Sequence, residues 1–443
     1  MRGPKFYLAL WLSKGIACAI DLIAKGRGTN LPGAVALKID PQFLRHFHGI
    51  DPEKTIFLTG TNGKSTTTNL LSQILMGAGY RVISNLDGAN MTAGVAVPLL
   101  KNSSLTGKLK CDYVVMETDE RYVARIRQQI PAKYLCITNI QKDQVQRNGE
   151  PSFIREKIRQ AISPEMTVFV NQDDPNSNSL TEGGRTIRYG VSSNKKSFFK
   201  EHDFFAVSSP CPCCHDGLIF HHYNLDNIGT YHCPTCGFSN ADIPDYQARA
   251  ISFEDKHFEI NGSQFPFHCN SPEFLYSYTL AAAAALELGA EPDAISRGFD
   301  RYGAPVGRGE IHMASKHKIK FFRMKQENSE TLQSAVNLLS SDKSPKTLIF
   351  GLDEYIDFYP PYINGCYMFD CSFHKLRESG VERCICTSPA LGRCGALRFL
   401  YDGFSPNCIQ VLPDSEERTL ASALDEWDSD NIYLIEEIPF WKR

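Results

Sequence analysis

Short apolar runs recur along the first half of the chain, at Thr55–Leu58, Tyr113–Met116, Leu135–Asn139 and Val168–Val170. Each is bounded by polar or glycine-rich residues, the pattern of strands buried on both faces. Between the first two, Thr67 to Gly77 places Leu70, Leu71 and Leu75 on one side of a helix. Alternating strands and helices predict a mostly parallel α/β sheet covered on both faces. Thr347–Gly351 and Asn431–Ile435 read as further strands, and residues 319–443 as a smaller α/β domain. At the N-terminus, Phe6, Leu8, Leu10, Trp11, Ile16, Ala19, Ile20 and Ile23 suit one broad apolar helix face. Arg2 and Lys5 before this run mimic a signal peptide, and Gly15–Cys18 faintly resembles a lipoprotein cleavage site. Lys14 and Asp21 interrupt the run, so an amphipathic helix is expected rather than an export signal. No other segment is long and apolar enough to span a bilayer.

The first strand leads into Gly60-Thr61-Asn62-Gly63-Lys64-Ser65-Thr66, and a helix follows. Strand, glycine loop, helix is the setting in which backbone N–H groups cradle phosphate. Lys64 would reach the terminal phosphates and Ser65 would hold magnesium. The first glycine lies three residues before Gly63, a shorter spacing than the usual phosphate loop. Glu117 closes the second strand, where open α/β sheets bind ligands, and is a candidate oxygen ligand for Mg²⁺. A solvated acidic turn is the competing reading of Glu117-Thr118-Asp119-Glu120.

Composition changes the picture at one place. The 443 residues include fifteen cysteines, an odd count better suited to reduced thiols than to a disulfide framework. Four of them, Cys211, Cys214, Cys233 and Cys236, form two C-x₂-C pairs eighteen residues apart. This is zinc-ribbon spacing, and four thiolates make a closed, structural Zn²⁺ site. His215, His221, His222, His232 and Cys213 crowd the same stretch and offer substitute ligands. The loop between the pairs has no lysine or arginine, which argues against nucleic acid. A net charge of −3 likewise argues against a nucleic-acid coat or a polybasic membrane binder.

Taken in order, these motifs resemble the Mur ligase superfamily and, within it, the MurT-type branch. The short TGTNGKST loop is typical of Mur ligases and folylpolyglutamate synthases, and the four-cysteine ribbon inside the ATPase domain is typical of the MurT type. Gly26–Gly33 is similar to the family's GRGGTSLPG, Asp87–Met91 to EGANM, and Asn139–Glu150 to NxxRDQxDRxGE. Asn171–Pro175 matches N-x-D-D-P, and Gly307–Glu310 matches GRxE. The resemblance implies three parts. These are an N-terminal helix and lead-in over 1–40, an ATP-binding domain over 41–312 with the ribbon at 205–240, and a Rossmann-like C-terminal domain over 316–443. It implies ATP-dependent amidation of the D-glutamate α-carboxyl of the lipid II stem peptide, through an acyl phosphate. Ammonia would come from a separate glutaminase subunit of GatD type. Lys64, Glu117, Arg308 and Lys325 would serve catalysis, and Asn171 and Asp174 would lie near the nucleotide's base and ribose. The expected location is the cytoplasm, at the inner membrane face where the substrate is lipid-linked.

The match departs from the family in the C-terminal part. The K-N-P-A-G-x-N segment becomes Lys325–Thr331 and keeps only its lysine, and the DRxGE aspartate is Gln146. N-x-Y-N becomes Phe274–Ser277. Placing Tyr367–Phe373 on W-I-[WY]-D-x-D-F puts Asn364 where the family has the aspartate of the glutaminase triad. Asparagine orients a histidine without stabilising its charged form. Asp353 and Asp357 are the alternatives for that role. The aromatic stretch Tyr355–Tyr367 reads equally as a partner contact or a folding loop. Two other functions stay open: a Mur or folylpolyglutamate-type ligase on another carboxylate, and a paralog that binds nucleotide without catalysis.

Overall fold

The computed structural model describes residues 3–23, 30–86, 89–199, 210–225, 227–269, 271–303, 308–314, 316–323, 328–351, 365–388, 391–414, 416–426 and 431–436. The chain divides into two compact units. One comprises Met1–Gln141, Asn148–Phe199 and Ser209–Ala304; the other comprises Lys142–Arg147, Lys200–Ser208 and Pro305–Arg443.

The first unit is built on a nine-stranded sheet. Its strands are β1 (Thr55–Thr59), β2 (Val82–Ser84), β3 (Tyr113–Glu117), β4 (Tyr134–Ile137), β5 (Thr167–Asn171) and β6 (Arg185–Val191), followed after an insert by β9 (Tyr246–Ser252), β10 (His257–Ile260) and β11 (Ser263–Pro266). The insert holds the hairpin β7 (Ile219–Leu225) and β8 (Ile228–His232). The order is β11-β10-β9-β6-β5-β4-β1-β3-β2. Strands β1 to β6 and β9 run parallel, and β10 and β11 extend the sheet antiparallel.

All five residues of β1 are buried, and they alternate between two cores. Ile56 and Leu58 pack with α3 (Lys64–Gly77) and with the helices Pro272–Glu287 and Pro292–Tyr302. Phe57 faces the opposite core, with Val114 and Met116 of β3 and with α1 (Pro4–Ile23), α2 (Leu31–Ile39) and α4 (Thr92–Asn102). Period two in a strand with helices on both sides is why these runs read as continuously apolar. β1 lies between β3 and β4, so the chain leaves it to one side and then crosses to the other. A crevice at the C-terminal ends of the strands opens at such a switch point.

The predicted apolar face of α1 splits. Phe6, Ala9, Leu10 and Ala17 are buried, with Phe6 against Phe43 and Phe47, whereas Leu8 and Trp11 point outward. Helical spacing found the helix but not which apolar side packs.

The second unit carries a six-stranded sheet, ordered β12-β13-β17-β14-β15-β16. The strands are β12 (Arg308–Ala314), β13 (His317–Arg323), β14 (Lys346–Gly351), β15 (Val381–Thr387), β16 (Ile409–Val411) and β17 (Ile432–Glu436). Only β12 pairs antiparallel. Cys371, Cys384 and Cys386 are fully buried among its apolar side chains and behave as small core residues. Burial pushes the Cys386 thiol up to about 12.

Candidate nucleotide site and four-cysteine centre

At the end of β1 the chain turns through Gly60–Gly63 into α3. Gly63 has φ +81°, and a Cβ there would lie 2.8 Å from Ser277 Oγ. Gly60 has φ +122°, and a Cβ there would meet the Asn139 carbonyl oxygen at 2.6 Å. Both positions require glycine. The loop is strapped to the segment that follows β4. Asn62 N donates to Asn139 Oδ1 at 3.0 Å, Asn139 Nδ2 returns a bond to Asn62 O at 3.2 Å, and Gln141 N donates to Thr61 Oγ1 at 2.9 Å. Thr66 follows in the first turn of α3.

Lys64 is buried at the first turn of α3 and folds back over the loop. Its Nζ donates to the carbonyls of Gly60 and Thr61 and pairs with Glu120 Oε2 at 3.2 Å. Ser65 Oγ donates to Glu117 Oε2 at 2.6 Å, and Asn90 Nδ2 to Glu117 Oε1 at 2.8 Å. Asn85 clamps the Glu117 backbone from both sides, accepting from its N–H and donating to its carbonyl, each at 2.8 Å. The carboxylate is therefore aimed at the N-terminus of α3, beside the loop. A hydroxyl and a carboxylate at the mouth of a phosphate loop are the oxygen donors that Mg²⁺ takes. The chemistry of this pair fits the ion.

Asn171 closes β5, and Asp174 lies in the turn that follows it. Both are fully buried. Asn171 Nδ2 donates to Thr138 O at 3.1 Å, and its Oδ1 accepts from Asp173 N at 3.1 Å. Asp174 Oδ2 accepts from Ile140 N at 2.6 Å, and its Oδ1 from Asn176 N at 3.1 Å and Gln141 Nε2 at 3.2 Å. Both side chains grip the strap over residues 138–141 that holds the loop. Burial raises Asp174 to about 7 and Asp173 to about 6.

The sulfur atoms of Cys211, Cys214, Cys233 and Cys236 all lie within 4.8 Å of one another. Sγ–Sγ separations are 3.6 Å for Cys211–Cys236 and 3.5 Å for Cys214–Cys233. A tetrahedron with Zn–S bonds of about 2.3 Å has edges near 3.8 Å, so the donor set fits zinc. The two knuckles repeat one backbone pattern. Cys211 N donates to Asp216 O and Cys233 N to Phe238 O; His215 N donates back to Cys211 O and Gly237 N to Cys233 O. His215 and Gly237, the residues after each pair, both have positive φ, at +68° and +75°. Backbone N–H groups of Cys236 and Thr235 lower the Cys233 thiol to about 7. His221 and His232 instead face each other, 2.9 Å apart, on the hairpin.

The module is pinned to the turn that follows β5. Tyr231 OH donates to Gln172 O at 3.2 Å and accepts from Asn178 Nδ2 at 2.9 Å. Asn240 Nδ2 donates to Gly229 O at 2.8 Å and to Asp173 Oδ1 at 3.3 Å. Asp173 Oδ2 accepts from Tyr276 OH and Val191 N, each at 2.8 Å. Hydrogen bonds tie the ribbon to Asp173 and the phosphate-loop strap to Asp174, its neighbour in the chain.

The structure brings Lys64, Ser65 and Glu117 together, and separately the four cysteines. Arg308 opens β12 in the second unit, and its side chain lies outside the described residues. Lys325, Asn364, Asp353 and Asp357 also lie outside them. Sequence reasoning gave no role to Glu120 or Asn90, although both sit in quoted motifs, because spacing does not say which oxygen meets which amine. Asn85 and Asn240 had no signal at all. Their partners are 32 and 67 residues away.

A phosphate loop at a switch point of a parallel sheet, with a carboxylate beside its serine, defines a nucleotide-binding site of the phosphate-loop class. Residues 58–217 match the Mur ligase middle domain. The lipid II isoglutaminyl synthase subunit MurT of Streptococcus pneumoniae is 33% identical over 377 residues, which cover 84% of this chain and 82% of that protein. Among solved structures, a pseudomurein peptide ligase type C from Methanothermus fervidus has a TM-score of 0.67 at 18% identity, covering 94% of this chain and 83% of that one. MurF ligase from Thermotoga maritima, solved in complex with ADP, has a TM-score of 0.55 at 13% identity, covering 92% and 81%. The chain belongs to the MurT family of the Mur ligase superfamily.

Proposed function

We propose that the chain is the ligase subunit that amidates the D-glutamate α-carboxyl of the lipid II stem peptide. The observation that carries this reading is the Lys64–Ser65–Glu117 group on the phosphate loop, in a chain of the MurT family. The γ-phosphoryl group of ATP passes to a carboxylate oxygen and ADP leaves. The lone pair of ammonia then attacks the acyl carbon, the C–O bond to phosphate breaks, and ammonia's extra proton is lost. Lys64 exchanges its loop carbonyls for phosphate oxygens, and the family resemblance assigns Arg308 and Lys325 to catalysis as well. Ser65 and Glu117 would hold a magnesium ion, which would supply further neutralisation of phosphate charge. Asn171 and Asp174 would support the nucleotide through the strap they grip. Cys211, Cys214, Cys233 and Cys236 would hold a zinc ion that closes the ribbon and takes no part in the chemistry.

Ammonia comes from a glutaminase subunit of GatD type, with Asn364 at the triad position and Asp353 or Asp357 as alternatives. The pair works in the cytoplasm at the inner membrane face. The test uses the chain without that partner, incubated with ATP, Mg²⁺, ammonium and lipid II. The expected result is an acid-to-amide mass change in the stem peptide. No amide, with nucleotide bound and zinc retained, would redirect the search to another carboxylate.

A further inference from the structure

We propose that the outward face of α1, together with the Ser103–Thr106 turn beside it, docks onto an anionic phospholipid bilayer. α1 is apolar on two opposite sides. One side packs inward through Phe6, Ala9, Leu10 and Ala17. The other presents Leu8, Trp11, Leu12, Ala19 and Leu22 at helical spacing to solvent. A surface helix ordinarily carries charged and polar residues there. Exposure is 59% for Leu8, 56% for Trp11 and 81% for Leu22.

Leu105, 66% exposed, extends the patch from the neighbouring turn. Trp11 Nε1 donates to Leu105 O at 2.9 Å, and Lys14 Nζ to Ser103 O at 2.6 Å. Helix and turn are thereby joined into one surface. The indole N–H is satisfied while much of its ring stays outside, the arrangement that suits an aromatic residue at a lipid–water boundary. Among the described residues no helix is long and apolar enough to cross a membrane. Contact in the plane of the interface is the geometry left to this surface.

Charge selects the occupant. Residues 98–111 hold Lys101, Lys108 and Lys110 and no acidic residue. α1 adds exposed Lys5, and its one acid, Asp21, is paired with Lys101 at 2.8 Å. The net charge of −3 conceals this local excess of lysine. Exposed leucine and tryptophan flanked by lysine match a lipid surface bearing negative headgroups. This goes beyond the proposed amidation and does not depend on it.

The test is co-sedimentation of the full chain with vesicles that contain no peptidoglycan precursor. Vesicles of phosphatidylcholine with phosphatidylglycerol are expected to carry the protein down; phosphatidylcholine alone is not. Binding should weaken about tenfold when salt is raised, as screened charge requires. Leu8→Glu with Leu12→Glu should abolish it, with zinc content and thermal unfolding unchanged. Lys108→Glu with Lys110→Glu, which leaves the apolar surface intact, should weaken it on anionic vesicles. Emission should shift to the blue on binding, and Trp11→Phe should remove the shift. Absence of binding to anionic vesicles, or equal binding by the Leu8 and Leu12 variant, overturns the proposal. So does self-association without lipid that the same variant dissolves, which would assign the face to a second copy. Amidation of a water-soluble stem-peptide substrate should persist in the variant, so failure of docking and failure of the proposed reaction remain distinguishable.

Discussion

The first unit contains two ligand-type centres that solve opposite problems. At the phosphate loop, each charged group already has a protein partner. Lys64 pairs with Glu120, and Ser65 and Asn90 occupy the Glu117 oxygens. Nucleotide and magnesium would enter by exchanging these contacts, and the loop is held by protein partners without them. At the ribbon, four sulfurs crowd one point, with closest pairs 3.5 and 3.6 Å apart. As thiolates they would repel each other, and only a cation reconciles their charges. The open oxygen site trades one set of bonds for another. The closed sulfur site has no second set.

That contrast can be broken most sharply by metal removal. Stripping zinc with a strong chelator should unfold the ribbon, since such a site is worth on the order of 10 kcal/mol to local folding. Withdrawing magnesium alone should leave thermal unfolding unchanged. Equal sensitivity to both would end the distinction. Next in size, Lys64→Ala should lower ATP-dependent amide formation about 10³-fold while zinc content and stability stay near wild type, as a charge aimed at the transition state predicts. Asn240→Ala removes the donor that joins the ribbon to Asp173. It should cost about 1–3 kcal/mol in urea unfolding, and should also weaken binding of a fluorescent ATP analogue. Unaltered nucleotide affinity would mean that the two centres share a unit without being coupled.

A smaller effect is expected for Gly63→Ala, about 1–2 kcal/mol from forcing an L-residue into the left-handed region. The smallest concerns pH. Asp173 and Asp174 are raised to about 6 and 7 by burial, so the folded chain holds their protons to higher pH than the unfolded chain does. Stability from this source is full below about pH 4 and falls as pH rises through those values. Asp174→Asn should flatten the decline in unfolding free energy between about pH 5 and 8. A decline as steep as in the parent chain would assign it to other groups.

The two centres were legible in the sequence to different depths. Thiolate ligands must come in close pairs on tight knuckles, so Cys211, Cys214, Cys233 and Cys236 announce their own partnership. The phosphate loop is equally local, and Gly60–Thr66 was readable with its strand and helix. The parts that support it are not local. Asn85 reaches Glu117 from the end of the neighbouring strand β2, 32 residues away, and Tyr231 reaches Gln172 from a hairpin 59 residues away. Those pairings depend on strand order, which apolar runs do not encode. Asn171 and Asp174 show a related limit. Their motif marked them as important, and the structure ties both side chains to the backbone of residues 138–141. For α1, periodicity cannot distinguish an apolar face that packs from one left outside.

The ribbon also occupies a revealing place in the chain. It lies between β6 and β9, which pair in parallel, with Tyr189 beside Tyr246 and Val191 beside Ala248. Parallel neighbours need a crossover, usually a helix that forms on its own. Here the crossover contains four cysteines whose sulfurs are placed to close around an ion. Without zinc, that connection is a long flexible loop whose ends must still meet before β9, β10 and β11 can register. If the ribbon closes on zinc, metal supply during synthesis is expected to set when the last third of the sheet forms. A chain made under zinc starvation would be expected to stall with this edge unformed, and its yield would record how much zinc the cell had to spare.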